Sequence, residues 1–297
     1  MMAGRDGARG TIAVALKWVD LRPEIDPITG AVHDDTRAFG CSEADRAALE
    51  WALRLGERRD LDVVAVTAGP AASDAAVRDA LATGATRGLR VALAADAPSE
   101  EVAAALAEVV ADAALVCCGD WSVDRGSGSV PALLAARLGR PQALGLLKLD
   151  LDGADDGGGG RGDGLGAVLA TRRLDRGRRE VLRVDGPAVL SFEGGSADLR
   201  RAALASTLKA RTATIEVVDG VPVRPRRVRV TQHGPYRPRA SAQPAPDQTL
   251  SPRERILALT GALVERTPPR TVVADAAEGA ELILEQLRAW GYLDEAP

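Results

Sequence analysis

One loop gathers most of the residues able to do chemistry. From Gly119 to Val130 the chain reads Gly119, Asp120, Trp121, Ser122, Val123, Asp124, Arg125, Gly126, Ser127, Gly128, Ser129, Val130, and then enters an apolar stretch that predicts a helix to Leu138. Glycines let a backbone approach an anion closely, and the serines add donors. The free N–H groups at the start of the following helix, with its positive end, suit a phosphate. Asp120 and Asp124 would keep away from that phosphate, bonding ribose hydroxyls or bracing the loop. The competing reading is a plain solvated connection. Elsewhere chemistry is scarce. His33 and His233 are the only histidines, and each lies in a polar stretch that reads as surface. No HExxH, CxxC or G-x-S-x-G pattern occurs, and the glycine-rich loop carries Arg125 but no G-K-[ST]. Cys117 and Cys118 end a strand-like run and read as small apolar packing. The acidic stretch Asp150–Gly164 matches no calcium-ligand spacing. No catalytic acid, base, nucleophile or metal set is expected.

The chain has 297 residues, net charge −4, 46% apolar and 27% charged residues, which fits one large or two modest cores and excludes disorder throughout. The acidic balance argues against a nucleic-acid binder, and at 3% aromatics there are almost no platforms for stacking bases. Cys41, Cys117 and Cys118 cannot build a disulfide framework, as expected of a reducing cytoplasm. No apolar run approaches the roughly 20 residues of a membrane span. Thr11–Leu16 is too short for a signal core and is followed by Lys17 and Asp20.

The elements that must position the loop alternate. Thr11–Leu16, Leu61–Thr67, Gly88–Leu93 and Ala113–Cys118 are short apolar runs typical of strands covered on both faces. Between them lie helical spacings over Ser42–Arg58, with Ser42 as N-cap, Ala71–Thr83 and Ser99–Ala111. Such alternation predicts a doubly wound, mostly parallel α/β sheet whose ligands sit at the strand carboxyl ends. The segments after Leu16, Thr67 and Cys118 therefore matter most. Beyond Pro141, Asp150–Gly164 reads as a polar hairpin tip, and Gly166–Leu174 pairs with Arg179–Val184 as an added β-hairpin. Pro187–Phe192 and Thr212–Val218 are further strands around a helix over Asp198–Ala210. Residues 1–218 form the α/β domain in this reading. Residues 219–251 are a Pro/Arg-rich arm, and 252–297 carry helices over Pro252–Arg266 and Glu278–Trp290, too small a tail to fold alone.

Several dispersed motifs resemble those of the electron transfer flavoprotein β-subunit family. In its glycine-loop signature Gly119, Asp124, Ser127, Val130, Gly139 and Pro141 fall in step, while Gly126, Ser129 and Pro131 depart from the usual Asp, Gln and Gly. A second signature reads Ala170, Arg172, Asp175, Gly177, Glu180, Leu182, Pro187, Val189, Leu190 and Ser191. Ala13, Val14, Leu16, Lys17 and Val19 match the N-terminal pattern. Ala65, Val66, Gly69, Pro70 and Ala71, then Ala80–Gly88, match two more.

The resemblance implies a Rossmann-like fold of the adenine-nucleotide α-hydrolase type and a heterodimer with an α-subunit that holds most of the FAD. It implies AMP, or a second FAD, in the β-subunit. Carried over by position, the nucleotide contacts are Ala15, Ser42, Glu43, Ala44, Asp45, Ala68 and the loop Gly119–Val130. Electrons would pass from a dehydrogenase, met through about Phe192–Leu204, to a quinone reductase. That recognition segment departs from the family form at Phe192, Glu193, Gly194, Gly195 and Ser196, while Arg200 keeps step. With the Arg/Pro insertion, this resembles the actinobacterial branch associated with mycofactocin. Two rivals share the fold: a stand-alone adenine-nucleotide sensor, and an ATP-cleaving relative, which the missing Walker lysine disfavours.

Overall fold

The computed structural model describes residues 10–26, 28–150, 166–220, 246–260 and 271–290, in two units divided between residues 235 and 236. In the first unit, β1 (Thr11–Ala15) buries Ile12, Ala13 and Val14 in succession, as a strand covered on both faces must. Then follow α1 (Glu43–Arg59), β2 (Asp62–Gly69), α2 (Asp74–Thr83), β3 (Arg87–Ala92), α3 (Ser99–Val110), β4 (Leu115–Gly119), α4 (Ser129–Leu138) and β5 (Gln142–Asp150). The chain continues through β6 (Ala167–Arg173), β7 (Arg179–Asp185), β8 (Ala188–Phe192), α5 (Leu204–Arg211) and β9 (Glu216–Asp219). Between β1 and α1, Val19–Asp20 pairs with Phe39–Gly40, and Glu24–Ile25 with Val32–His33.

The large sheet runs β7-β6-β5-β8-β4-β1-β2-β3-β9. The strands from β5 to β9 are parallel, and β6 and β7 extend the sheet as an antiparallel hairpin. Side chains alternate between its faces. Ile12, Val14, Leu115 and Phe192 pack with Leu55 of α1 and Ala80 of α2, while Ala13, Val66 and Val116 pack with Leu106 of α3 and Leu134 of α4. The chain builds β1, β2 and β3 in one direction, then returns through α3 to lay β4 on the other edge of β1. That reversal splays the connections after β1 and β4 apart and opens a crevice at their carboxyl ends. The α/β class, the parallel order and the hairpin agree with the sequence reading.

Three expectations need correction. The helix expected over Asp198–Ala210 begins only at Leu204, because Arg200 ahead of it is tied by its backbone N–H and Nε to Glu50 of α1. The strand expected over Thr212–Val218 begins at Glu216. Gln142–Asp150, to which no element was assigned, is a nine-residue strand between β8 and β6. The polar tip at 151–164 and the arm at 221–245 lie outside the described residues.

The second unit contains α6 (Pro252–Leu259) and α7 (Ala276–Ala289). Ser251 and Glu254 form a reciprocal capping box on α6, and Asp275 accepts from the Ala277 and Glu278 N–H groups of α7. The remainder of the helix expected to reach Arg266 falls outside the described residues. Neither helix has a buried residue, and Ile256, Leu259, Ile283 and Trp290 are exposed. Among the described residues no helix is long and apolar enough to cross a membrane.

Candidate nucleotide site

The crevice is built where β4 meets the start of α1. A Cβ on Gly119 would lie 2.7 Å from Asp45 Oδ1 and 2.9 Å from the Asp45 nitrogen, so glycine lets strand end and helix end touch. Ser42 caps α1, accepting from the Asp45 N–H at 3.1 Å. Beyond Gly119, the Asp120 N–H donates to the Phe192 carbonyl at 3.0 Å, and the Gly126 N–H to the Ser122 carbonyl at 2.8 Å. Gly128 then has φ +55°, and a Cβ there would sit 2.2 Å from the Asp120 carbonyl oxygen. The loop thus folds back on its own beginning before α4 starts.

No side chain caps α4: Gly128 is its N-cap residue, and Pro131 in the first turn has no N–H to cap. The Ser129 and Val130 N–H groups have no partner within the helix. The hydroxyls of Ser127 and Ser129 lie 3.1 Å apart beside them. This positive, donor-rich end lines a cleft of about 800 Å³, its open mouth included. The opposite wall is small and apolar, made by Ala15, Ala68, Ala94, Ala95 and Ala97, with Val102 and Leu106 of α3 behind. Two ties hold the loop over the cleft. Lys17 Nζ reaches both Asp124 oxygens at 2.6 and 2.7 Å, and Arg125 donates to the Asp96 carbonyl at 2.9 Å.

The acids around the cleft differ in charge. Burial pushes the Asp45 carboxyl up to about 7, against opposing hydrogen bonds from Ser42 and the Lys17 backbone. Burial would also raise Asp124, but hydrogen bonding and charge from Lys17 win and hold it below its ordinary value. Asp120 is raised by burial and by nearby Glu193. Cys118, on the cleft wall, is pushed far up by burial and stays a thiol, and Cys117 behind it is raised to about 12. Both cysteines are packing residues, as their sequence position implied.

Most expected contacts come together here: Ala15, Asp45, Ala68, Gly119, Trp121, Ser122, Arg125, Ser127, Gly128, Ser129 and Val130 all line the cleft. Others shape it from behind. Ser42 is the buried cap, Ala44 backs Gly119, Asp120 and Asp124 hold the loop ends, and Gly126 makes the turn. Glu43 is exposed on α1, and Val123 is not part of the wall. Lys17, the Ala94–Ala97 segment and α3 were missed. Lys17 could have been found, since it follows the β1 run by two residues at a strand carboxyl end.

Arg172 of the second signature and the segment Phe192–Leu204 are held within the fold. Arg172 pairs with Glu180 across the hairpin at 2.6 Å. In Phe192–Leu204, Phe192 is buried and stacks on Trp51 with ring centroids 6.2 Å apart. Trp51 Nε1 donates to Ser196 Oγ at 3.3 Å, and Arg200 donates from its backbone and Nε to Glu50 Oε2 at 3.1 and 3.0 Å. Leu199 packs half-buried on the core. His33 is exposed, and His233 lies outside the described residues. Among the described residues no group of side chains could hold a metal ion.

Topology and cleft together define a doubly wound α/β protein with an anion-ready crevice at its switch point. The model of the electron transfer flavoprotein domain matches residues 29–222, more than half of the chain. The chain belongs to the electron transfer flavoprotein family. Among curated relatives, the electron transfer flavoprotein subunit beta of Bradyrhizobium diazoefficiens is 32% identical over 174 residues, 58% of this chain and 65% of that one. The Dictyostelium discoideum subunit beta is 30% identical over 176 residues with the same shares, and that of Bos taurus 29% over 197 residues, 64% and 72%. The chain thus spans about 65% of the length of the first two relatives.

Proposed function

We propose that this chain is the β-type half of an electron transfer flavoprotein. It binds an adenine nucleotide, AMP or a second FAD, in the cleft at the end of β4, and it pairs with an α-type subunit that holds most of the FAD. The observation that carries the reading is the uncapped start of α4 facing an alanine wall, in a chain of this family. The residues fit the nucleotide. The Ser129 and Val130 N–H groups and the Ser127 and Ser129 hydroxyls would hold a phosphate, and the alanines leave room for a flat base. Lys17–Asp124 and Arg125–Asp96 keep the loop closed over it.

FAD, when bound, accepts and donates the electrons. The chain's own residues supply position and polarity. The protein is a carrier in this reading and not an enzyme. The segment Phe192–Leu204, pinned to α1 through Trp51 and Glu50, would present a preformed surface to the dehydrogenase, and a quinone reductase would take the electrons onward. Its altered sequence supports a partner from the mycofactocin-associated branch. The exposed apolar side chains of α6 and α7 support docking of 252–297 on the α-type subunit, with 219–251 as the connecting arm. The setting is the cytoplasm.

Co-expression with the α-type subunit of the same organism tests this. The expected product is a yellow complex with one copy of each chain. A chain that stays alone and colourless contradicts the reading, and release of phosphate from ATP would replace it with the nucleotide-cleaving one.

A further inference from the structure

We propose that Asp45 takes up a proton when an adenine nucleotide enters the cleft, so that nucleotide affinity falls as the pH rises. This rests on the nucleotide reading above and gives Asp45 a role in it that position alone does not.

Asp45 lines the cleft yet is only 6% exposed. Its Oδ2 accepts the Lys17 backbone N–H at a long 3.3 Å, and its Oδ1 lies against Gly119. Burial outweighs the hydrogen bonds from Ser42 and the charge of Lys17 that favour its ionised form, and no cation among the described residues pairs with it directly. Lys17, after β1, has its ammonium committed to Asp124. Cys118 on β4 and Cys41 ahead of α1 are thiols that burial holds neutral. Among the described residues no lysine or arginine lies within ion-pair distance of Asp45; Arg125 donates to the Asp96 carbonyl and lies 4.0 Å from Asp124.

A nucleotide monophosphate brings a charge of about −1.5 to −2 into the same cleft, whose walls include both Asp45 and the Ser129–Val130 start of α4. Buried like charges cannot both stay ionised, and the carboxyl is the group that yields. The proton comes from solvent and ends on a carboxyl oxygen of Asp45, and no covalent bond of the nucleotide changes. The neutral carboxyl then offers one donor and one acceptor, where the carboxylate offers acceptors only.

The free carboxyl titrates at about 7. If only the protonated form admits the nucleotide, the dissociation constant should weaken about tenfold between pH 6 and pH 8. The phosphate's own second ionisation, near pH 6, acts in the opposite sense at a cleft of N–H donors. The Asp45→Asn chain separates the two, since asparagine keeps the acceptor for Lys17 and cannot ionise.

The test is calorimetric titration with AMP, at several pH values, of the full chain unfolded and refolded to remove any nucleotide it carries. Parallel titrations near pH 7.5 use two buffers of different ionisation enthalpy. The expected results are uptake of more than about half a proton per AMP by the unaltered chain, and an affinity ratio to Asp45→Asn that shifts about tenfold between pH 6 and pH 8. The proton count needs no variant, so a poorly folded Asp45→Asn chain does not block the test. AMP binding without proton uptake, or the same pH profile in both chains, overturns the proposal and leaves the nucleotide reading standing. Absence of AMP binding at every pH, in a chain that also releases no FAD when denatured, overturns both.

Discussion

Replacing Gly128 by alanine separates a backbone role from a packing role at one position. Both ends of α4 carry a left-handed glycine. At Gly139, φ is +61° and a Cβ would meet nothing within 4 Å. Alanine there should cost only the left-handed backbone, about 1 kcal/mol. At Gly128, φ is +55°, but the new Cβ would lie 2.2 Å from the Asp120 carbonyl oxygen, well inside any real contact. One of two backbone segments must then move, adding roughly 1–3 kcal/mol of overpacking strain. Gly128→Ala should therefore lose about 2–4 kcal/mol in urea unfolding at unchanged slope, against about 1 for Gly139→Ala. The displaced segment is the loop that the nucleotide reading places at the phosphate, so on that reading AMP affinity should fall at least about tenfold in the first variant, about 1.4 kcal/mol, and stay level in the second. Equal stability losses and equal affinities would refute the reasoning, because the loop would then not be folded onto its own start.

The clasp of Glu50 on Arg200 predicts that Glu50→Ala costs about 3 kcal/mol and makes residues 193–203 more open to limited proteolysis; an unchanged urea midpoint would count against it. Burial works to raise Glu50, but the bonds from Arg200 outweigh it and leave its carboxyl below the usual value. The loss should therefore be full above about pH 4.5 and shrink as the pH falls through the folded value. Lys17 and Asp124 are each about one-third exposed, so a double-mutant cycle should give a coupling of no more than about 1 kcal/mol that salt weakens; several kcal/mol would mean a buried pair. Asp45 has the opposite sign from Glu50. Its raised value destabilises the free chain increasingly from about pH 4 up to about 7, so Asp45→Asn should be the more stable chain at pH 8, by up to about 4 kcal/mol. Thermal unfolding at pH 4 and pH 8 checks this, and a variant less stable at both contradicts it.

The alternating core could be read directly because each parallel strand is a short apolar run and each helix carries its own signals. Ser42 caps α1 where its spacing said it would, and Gly139 ends α4. β5 escaped because Gln142–Asp150 contains Gly145 and Lys148 and is buried only at Ala143, Leu146 and Leu149. Its strand character comes from lying between β8 and β6, which is tertiary information. The helix start at Leu204 was misjudged for a similar reason: the bonds from Arg200 to Glu50 span 150 residues of chain. In the cleft, the loop residues announced themselves by glycine and serine. Ala94, Ala95 and Ala97 carry no chemical signature, and only the arrival of the β3–α3 connection makes them a wall.

The central claim is that the crevice after β4 holds an adenine nucleotide. Its most direct test is to denature the freshly purified full-length chain, recover what is released and identify it by mass. The account predicts one AMP, or one FAD, for each chain. A preparation that releases no nucleotide, and that does not bind added AMP after refolding, would contradict it.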